Sequence, residues 1–238
     1  MAGDRLLRIL AELPSAWRSE PEPACLCEVC ANVSLMTGAG IMLMTGETQQ
    51  GSVCSSNEVS ALIEELQFTL GEGPCVDAHR EDRPVGEADL ANPDLPRWLA
   101  FAPPAVTAGA RAVFGFPMRV GGVRLGALNL YRDRPGPMSD GQYADALVLA
   151  GVAAQAVVAL QANASPGALS TALEEGANFR FVIHQASGMV AVQLGVSVGE
   201  ALARLRAYAF GNEVLLTEVA EAIVARKLRL DGRTRDSP

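Results

Sequence analysis

Residues 180–228 read RFVIHQASGMVAVQLGVSVGEALARLRAYAFGNEVLLTEVAEAIVARKL and divide into three amphipathic helices. In the first, Phe179, Val182, Ile183, Ala186, Met189, Val190 and Leu194 recur at the spacing that lays one apolar stripe along a helix. Arg180, His184, Ser187 and Gly188 return to another side, and Gly195 is placed to cap the C-terminus. Ser197 and Glu200 have the spacing of a capping box opening the second helix, whose buried side is Ala201, Leu202, Leu205, Tyr208 and Ala209. After Gly211-Asn212, the third helix puts Leu216, Val219, Ala220, Ile223, Val224 and Leu228 on one side, with Glu218 in its first turn and Arg226 and Lys227 in its last. None of these stripes can be buried singly, so the expectation is a small all-α three-helix bundle.

The ordered set IxQAxGMV (Ile183 to Val190), LGVS (Leu194 to Ser197), EALxxLRxYA (Glu200 to Ala209), Asn212 and LTEVAEAIV (Leu216 to Val224) resembles the transcription antitermination regulator module ANTAR. The resemblance implies a module that binds RNA stem-loops, usually as a dimer. It assigns Arg180, Arg204 and Arg206 to phosphates or base stacking, and His184, Gln185 and Ser187 to loop bases. Gly188 would give close backbone approach and Tyr208 a stacking face. The family commonly carries lysine where this chain has Ser187, so one cation is missing from the face so assigned.

Charge is distributed unevenly. The 238 residues carry a net charge of −8. From Ser165 onward eight basic residues balance eight acidic ones, so the deficit lies in the N-terminal part. A neutral module with clustered arginines suits local RNA contact better than nonspecific attraction to nucleic acid. The first residues carry Asp4, Arg5 and Arg8 through their apolar stretch, unlike a signal peptide, and no apolar run reads as a membrane span, so a cytoplasmic protein is expected. Cys25, Cys27 and Cys30 crowd together, but four ligands at paired spacing are lacking. Cys27 and Cys30 are therefore expected as small hydrophobes on the inner face of a helix, with no metal.

Ahead of the bundle, residues 5–13 place leucines along a short helix and 14–23 form a Pro-rich linker. A helix over 25–36, strands at 39–45 and 51–55, and a helix over 57–70 with Val59, Leu62, Ile63, Leu66 and Leu70 as its stripe come next. The turn-rich GEGPC of Gly71 to Cys75, an extended segment over 84–90 and a helical piece around 97–101 follow. The clearest β signal is a hairpin over 111–131 turning at Gly121-Gly122, and an apolar helix capped by Ser139 spans 139–161. The result is an α+β domain with an antiparallel sheet flanked by helices.

The strings GEGPCVDA, Asp89-Leu90, Arg97-Trp98, FPMRVGG (Phe116 to Gly122) and LGALNLY (Leu125 to Tyr131) resemble a GAF domain, a sensor fold with a ligand-sized pocket and a tendency to dimerise. The hairpin face bearing Phe114, Phe116, Asn129 and Tyr131 would line that pocket, completed by Met42, Met44, Cys75 and Trp98; a filled core is the alternative. The NKxxF pattern of nucleotide-binding GAF domains is absent, and His79 sits in the polar run AHREDR as a solvated loop residue rather than a haem ligand. No cofactor is implied. No serine is read as a nucleophile elbow and no phosphate loop or H-E-x-x-H motif is found, so no catalytic residue is assigned; Cys75 reads as a buried turn cysteine.

These readings divide the chain into an N-terminal helix and linker (1–19), a GAF-like sensor domain (20–160), a hinge with Pro166-Gly167 (161–170), an ANTAR-like bundle (171–230) and a tail (231–238). The expected function is a homodimeric, signal-responsive transcription antitermination regulator, its sensor answering a small-molecule ligand or partner and its bundle binding tandem RNA stem-loops. The alternative is a dimeric ligand-binding adaptor whose bundle docks a protein.

Overall fold

The computed structural model describes residues 2–12, 23–45, 48–94, 96–163, 178–212 and 214–230. The chain divides into two compact units, Met1–Ser170 and Thr171–Pro238. Residues 14–22 of the Pro-rich linker, Pro166-Gly167 and the 231–238 tail lie outside the described residues, and the last linker residue, Pro23, opens α2.

The first unit runs α1 (Ala2–Glu12), α2 (Pro23–Ser34), β1 (Gly38–Thr45), β2 (Thr48–Ser55), α3 (Glu58–Leu70), α4 (Pro74–Glu81), β3 (Val85–Glu87), α5 (Ala102–Thr107), β4 (Ala112–Val120), β5 (Val123–Arg132) and α6 (Asp140–Asn163). The strands form one antiparallel sheet in the order β2-β1-β5-β4-β3. Helices α1, α2 and α6 cover one face, where Ile41, Phe114, Phe116, Leu128 and Leu130 join Leu26, Cys30, Leu149 and Ala153 in the main apolar core. Helices α3 and α4 cover the other face, with α5 against α3.

The β4–β5 hairpin decides which side chains face which layer. It closes at Gly121-Gly122 with Val120 opposite Val123, and then its register slips by one residue between Met118 and Arg119. Beyond that bulge Phe114 pairs with Leu130 and Gly115 with Asn129. A one-residue slip moves a strand's side chains to the opposite face. Phe114 and Phe116 therefore belong to the α6 layer, and the ring of Phe116 meets Tyr143 edge-on at 5.5 Å. Asn129 and Tyr131 look the other way, so the single hairpin face expected to carry all four does not form. Gly126 marks the place: a Cβ there would stand 1.9 Å from the Met42 carbonyl oxygen of β1.

Other departures have similarly local causes. Helix α3 turns Ser60, Ile63, Glu64, Gln67 and Phe68 inward, whereas Leu62 of the expected stripe is exposed. Asn57 caps it by accepting from the Ser60 amide at 2.8 Å. Gly73-Pro74, expected as a turn only, opens α4, where Pro fits the first helical position. His79 is consequently buried on a helix, not solvated in a loop. The helix expected at 97–101 begins instead at Ala102, because Trp98 holds a left-handed backbone with φ 57°. Cys27 is not a free thiol but is bonded to Cys54 of β2, while Cys30 is buried as expected.

Helix α6 starts at a reciprocal cap: the Gln142 amide donates to Ser139 Oγ at 3.2 Å and the Ser139 amide donates to Gln142 Oε1 at 3.0 Å. Its Asp140–Leu160 portion is long and apolar enough to cross a membrane, contrary to the reading that no run is, yet it packs across β4 with Leu149, Ala150, Ala153 and Val157 in the main core. Asp145 on α6 anchors α1 through Arg5 at 2.7 Å and Arg8 at 2.6 Å. Of the α1 apolar residues, Ile9 is buried while Leu6, Leu7 and Leu10 stay exposed.

The second unit is a bundle of α7 (Asn178–Leu194), α8 (Val198–Gly211) and α9 (Leu216–Val224). Its core is Ile183, Ala186, Val190, Ala201, Leu202, Leu205, Ala209, Leu216, Val219, Ala220 and Ile223. Gly195 ends α7 at φ 67°, and Ser197 caps α8 by accepting from the Glu200 amide at 3.2 Å. Glu200 turns its carboxylate to Arg204, 2.8 Å away, rather than completing the expected box. The run Gly195-Val-Ser197-Val-Gly199 does have the spacing of a nucleophile elbow, but it joins two helices and spends its hydroxyl on this cap.

Candidate nucleic-acid interface and sensor site

In the first unit, a polar group sits at the middle of the sheet. Asn129 lies between Gly40 of β1 and Gly115 of β4 on the face covered by α3 and α4. Both glycines are required by what lies over them. A Cβ on Gly40 would meet the Glu64 carboxylate at 2.7 Å, and one on Gly115 the Pro74 carbonyl oxygen at 2.3 Å. Helix α4 is thereby seated on the strand, with the Cys75 amide donating to Gln67 Oε1 at 2.8 Å. Asn129 is 0% exposed, and among the described residues neither its Nδ2 nor its Oδ1 has a hydrogen-bond partner. A buried amide without partners costs free energy, so its presence in a core needs a reason.

Of the expected pocket residues, Met42, Met44, Cys75, Asn129, Tyr131 and Trp98 are all buried, but Phe114 and Phe116 belong to the opposite layer. Tyr131 spends its hydroxyl on Asn57 Oδ1 at 3.1 Å, tying β5 to the cap of α3; burial is the main cause of its raised pKa. Trp98 donates Nε1–H to Asp77 Oδ2 of α4 at 2.8 Å. Burial, reinforced by the neighbouring Glu64, pushes the Cys75 thiol well up, which keeps it protonated and a poor nucleophile at neutral pH. Glu64 and Gln67 were not foreseen. The signal in the sequence is Ser60, Glu64 and Gln67 at helical spacing, beside a more hydrophobic leucine stripe.

In the second unit the expected RNA residues do not share one surface. Ser187 is 0% exposed and donates its hydroxyl to the Ile183 carbonyl at 2.7 Å, one turn back along its own helix. It faces the bundle core, so the cation missing at this position is not missing from an outward face. Arg206 is also largely sunk, and burial lowers its guanidinium pKa to about 10. His184 and Tyr208 are half-buried, and Arg204 is exposed but paired with Glu200. Arg180 lies in the first turn of α7, and its side chain is outside the described residues.

Gln185 and Gly188 do come together, along with Met189, Val192, Arg226 and Arg229, around a groove of about 800 Å³. Its second wall is the segment after α9, expected as part of a helix and a loose tail. Helix α9 stops at Val224 because Arg226 takes a left-handed backbone with φ 58°, and the Lys227 and Leu228 amides both donate back to Ala222. Leu230 is buried, and Gln193 Nε2 donates to its carbonyl at 2.7 Å, which pins the segment against α7. Sequence spacing offered a hint, since Gln185, Gly188, Met189 and Val192 lie on one side of α7.

Among solved structures, the chain is similar to the GAF domain of a phosphoenolpyruvate-protein phosphotransferase from Coxiella burnetii, with 13% identity, a TM-score of 0.49 and coverage of 67% of this chain and 96% of that one. It is similar to a domain of a putative two-component sensor histidine kinase from Sinorhizobium meliloti at 17% identity and TM-score 0.46, covering 58% and 88%. A free methionine-R-sulfoxide reductase from Neisseria meningitidis stands at 14% and 0.44, covering 68% and 92%. No curated protein matches the chain. A model of the GAF domain matches residues 25–161 and one of the ANTAR domain matches residues 169–224. With more than half of its length so matched, the chain belongs to the GAF domain family and carries an ANTAR domain behind its sensor.

Proposed function

We propose that this regulator is a signal-responsive transcription antitermination factor, in which the GAF domain senses a small molecule and the ANTAR domain holds RNA stem-loops. The ANTAR match over the three-helix bundle carries the reading. The bundle's own surface supports it, since Arg226 and Arg229, both exposed, line one groove with Gln185. In a homodimer each copy holds one stem-loop of a tandem pair, and two weak contacts add to a useful affinity. The hairpin RNA so stabilised outcompetes the terminator that shares its sequence.

On the sensor side, Asn129 supports recognition of a polar ligand: its amide offers a donor and an acceptor to a molecule entering between α3, α4 and the sheet. The chemistry required of that ligand is a matching donor–acceptor pair.

A protein-docking role for the bundle has one observation in its favour. Phe210 and Leu215 are 67% and 65% exposed near the α8–α9 turn, an apolar pair suited to a protein partner. Gel shifts with a tandem-hairpin RNA and with each hairpin alone separate the readings. Tighter binding of the tandem RNA is expected; equal affinity for all three removes the dimer-bridging mechanism, and no binding to any of them removes the RNA role.

A further inference from the structure

The groove between α7 and residues 225–230 combines features that the RNA reading by itself does not assign. Its walls bring two cations, Arg226 and Arg229, to the rim and no carboxylate among the lining residues. Within it, Met189 and Val192 offer an apolar surface, and Val192 is 86% exposed on a helix whose opposite side is core. A Cβ built on Gly188 would meet nothing within 4 Å, so the groove is open down to the helix backbone there. Its volume of about 800 Å³ is in the class of sites that take small organic groups.

The backbone of Arg226 adds an independent observation. Its φ of 58° is a conformation that glycine adopts without strain and an arginine does not. The turn that ends α9 would be better served by glycine. What the arginine contributes instead is a guanidinium at the mouth of the groove.

Resting on the RNA-binding reading above, we propose that this groove receives an unpaired RNA base, laid against Met189 and Val192, with Arg226 and Arg229 holding the phosphates on either side. Apolar surface flanked by guanidinium groups is the chemistry that accepts a splayed-out base, because the base's flat face is apolar and its backbone is anionic. Gln185, exposed on the same wall, is placed to read the edge of that base. Fully paired RNA presents no such base, so the groove selects loops or bulges over duplex.

The test uses the full chain with a pool of hairpin RNAs whose loops are randomised, and a blunt duplex of the same length as competitor. Two variants are compared with the parent, Arg226→Gly and Val192→Glu. Arg226→Gly relieves the left-handed turn, so its melting temperature should hold or rise while hairpin affinity falls about tenfold, the loss expected for one charge-assisted contact. Val192→Glu leaves a highly exposed helix position folded but sets a carboxylate inside the groove, and a loss of at least tenfold is expected. The duplex should compete poorly with the parent. Hairpin binding by the parent that neither variant weakens would overturn the groove while leaving the RNA reading standing. A parent that binds no hairpin would overturn both. A change of oligomeric state in the variants at unchanged RNA affinity would give the groove to a second copy of the chain and overturn the proposal as well.

Discussion

Replacing Asn129 by leucine should make the protein more stable, although the substitution is at the centre of its sheet. Leucine has the branching of asparagine at Cγ, with methyl groups where the amide has its oxygen and nitrogen. The amide is fully buried and neither polar atom has a partner among the described residues, so it carries a desolvation cost with no compensating bond. Removing such a group returns about 1–3 kcal/mol. For a chain of this size that corresponds to roughly 2–4 °C in melting midpoint for each kcal/mol. Trp98 is buried in the first unit and no tryptophan occurs in the sequence of the second, so the Trp98 signal follows unfolding of the first unit apart from the bundle. Asn129→Asp is the companion variant. It places a carboxylate on the face that already holds Glu64 and should lower the midpoint. A loss of about 2 kcal/mol or more in Asn129→Leu would match a broken buried hydrogen bond and show that the amide is bonded in the fold. An Asn129→Asp protein as stable as the parent would contradict the desolvation cost.

Further outcomes follow from the other sites. Gly126→Ala forces a Cβ to within 1.9 Å of the Met42 carbonyl oxygen, and a loss of about 3 kcal/mol in denaturant unfolding is expected from overpacking against backbone. Ser187→Ala should leave RNA affinity unchanged and shift stability by less than about 1 kcal/mol, since the loss of one helical back-bond is offset by better helix propensity; a drop in affinity would put the residue back on the binding face. Reducing the Cys27–Cys54 bond, which closes a loop with a sequence separation of 27, should cost about 3–4 kcal/mol on the chain-entropy account, measured as a melting shift with and without dithiothreitol. Native alkylation followed by mass spectrometry should label partly exposed Cys25 ahead of buried Cys30 and Cys75. Burial raises the Cys30 thiol from 9.0 to about 12, so unfolded chains lose that proton first and stability should fall as pH rises from about 9 toward 12.

The parts of this protein that sequence made legible are those set by local periodicity. The strands and turn of the 112–132 hairpin follow from alternation and Gly121-Gly122, and the three C-terminal helices follow from their stripes. What alternation could not convey is the bulge between Met118 and Arg119, which shows only in the pairing of the strands, beside the Gly126 that β1 crowds. That single residue of register sent Phe114 and Phe116 to the other layer and left Asn129 among α3, α4 and two glycines. The rotation of α3 escaped for a related reason: its leucines outscore Ser60, Glu64 and Gln67 on hydrophobicity, yet the polar stripe fits over Gly40 and beside Gln67's partner, the Cys75 amide. In the bundle, Ser187 looked outward because a small polar residue suits either side of a helix. Only the packing of α7 on α8 and α9 shows it turned in. The Cys27–Cys54 pairing joins a helix to an edge strand and has no local signature at all.

RNA bound to the C-terminal bundle would be captured by ultraviolet crosslinking of the full chain in cells followed by sequencing of the attached RNA. Enrichment of paired stem-loops lying ahead of terminator hairpins is expected, with crosslinks at unpaired loop bases and a signal that is lost at high salt. Recovery of no RNA above that of an untagged control would contradict it.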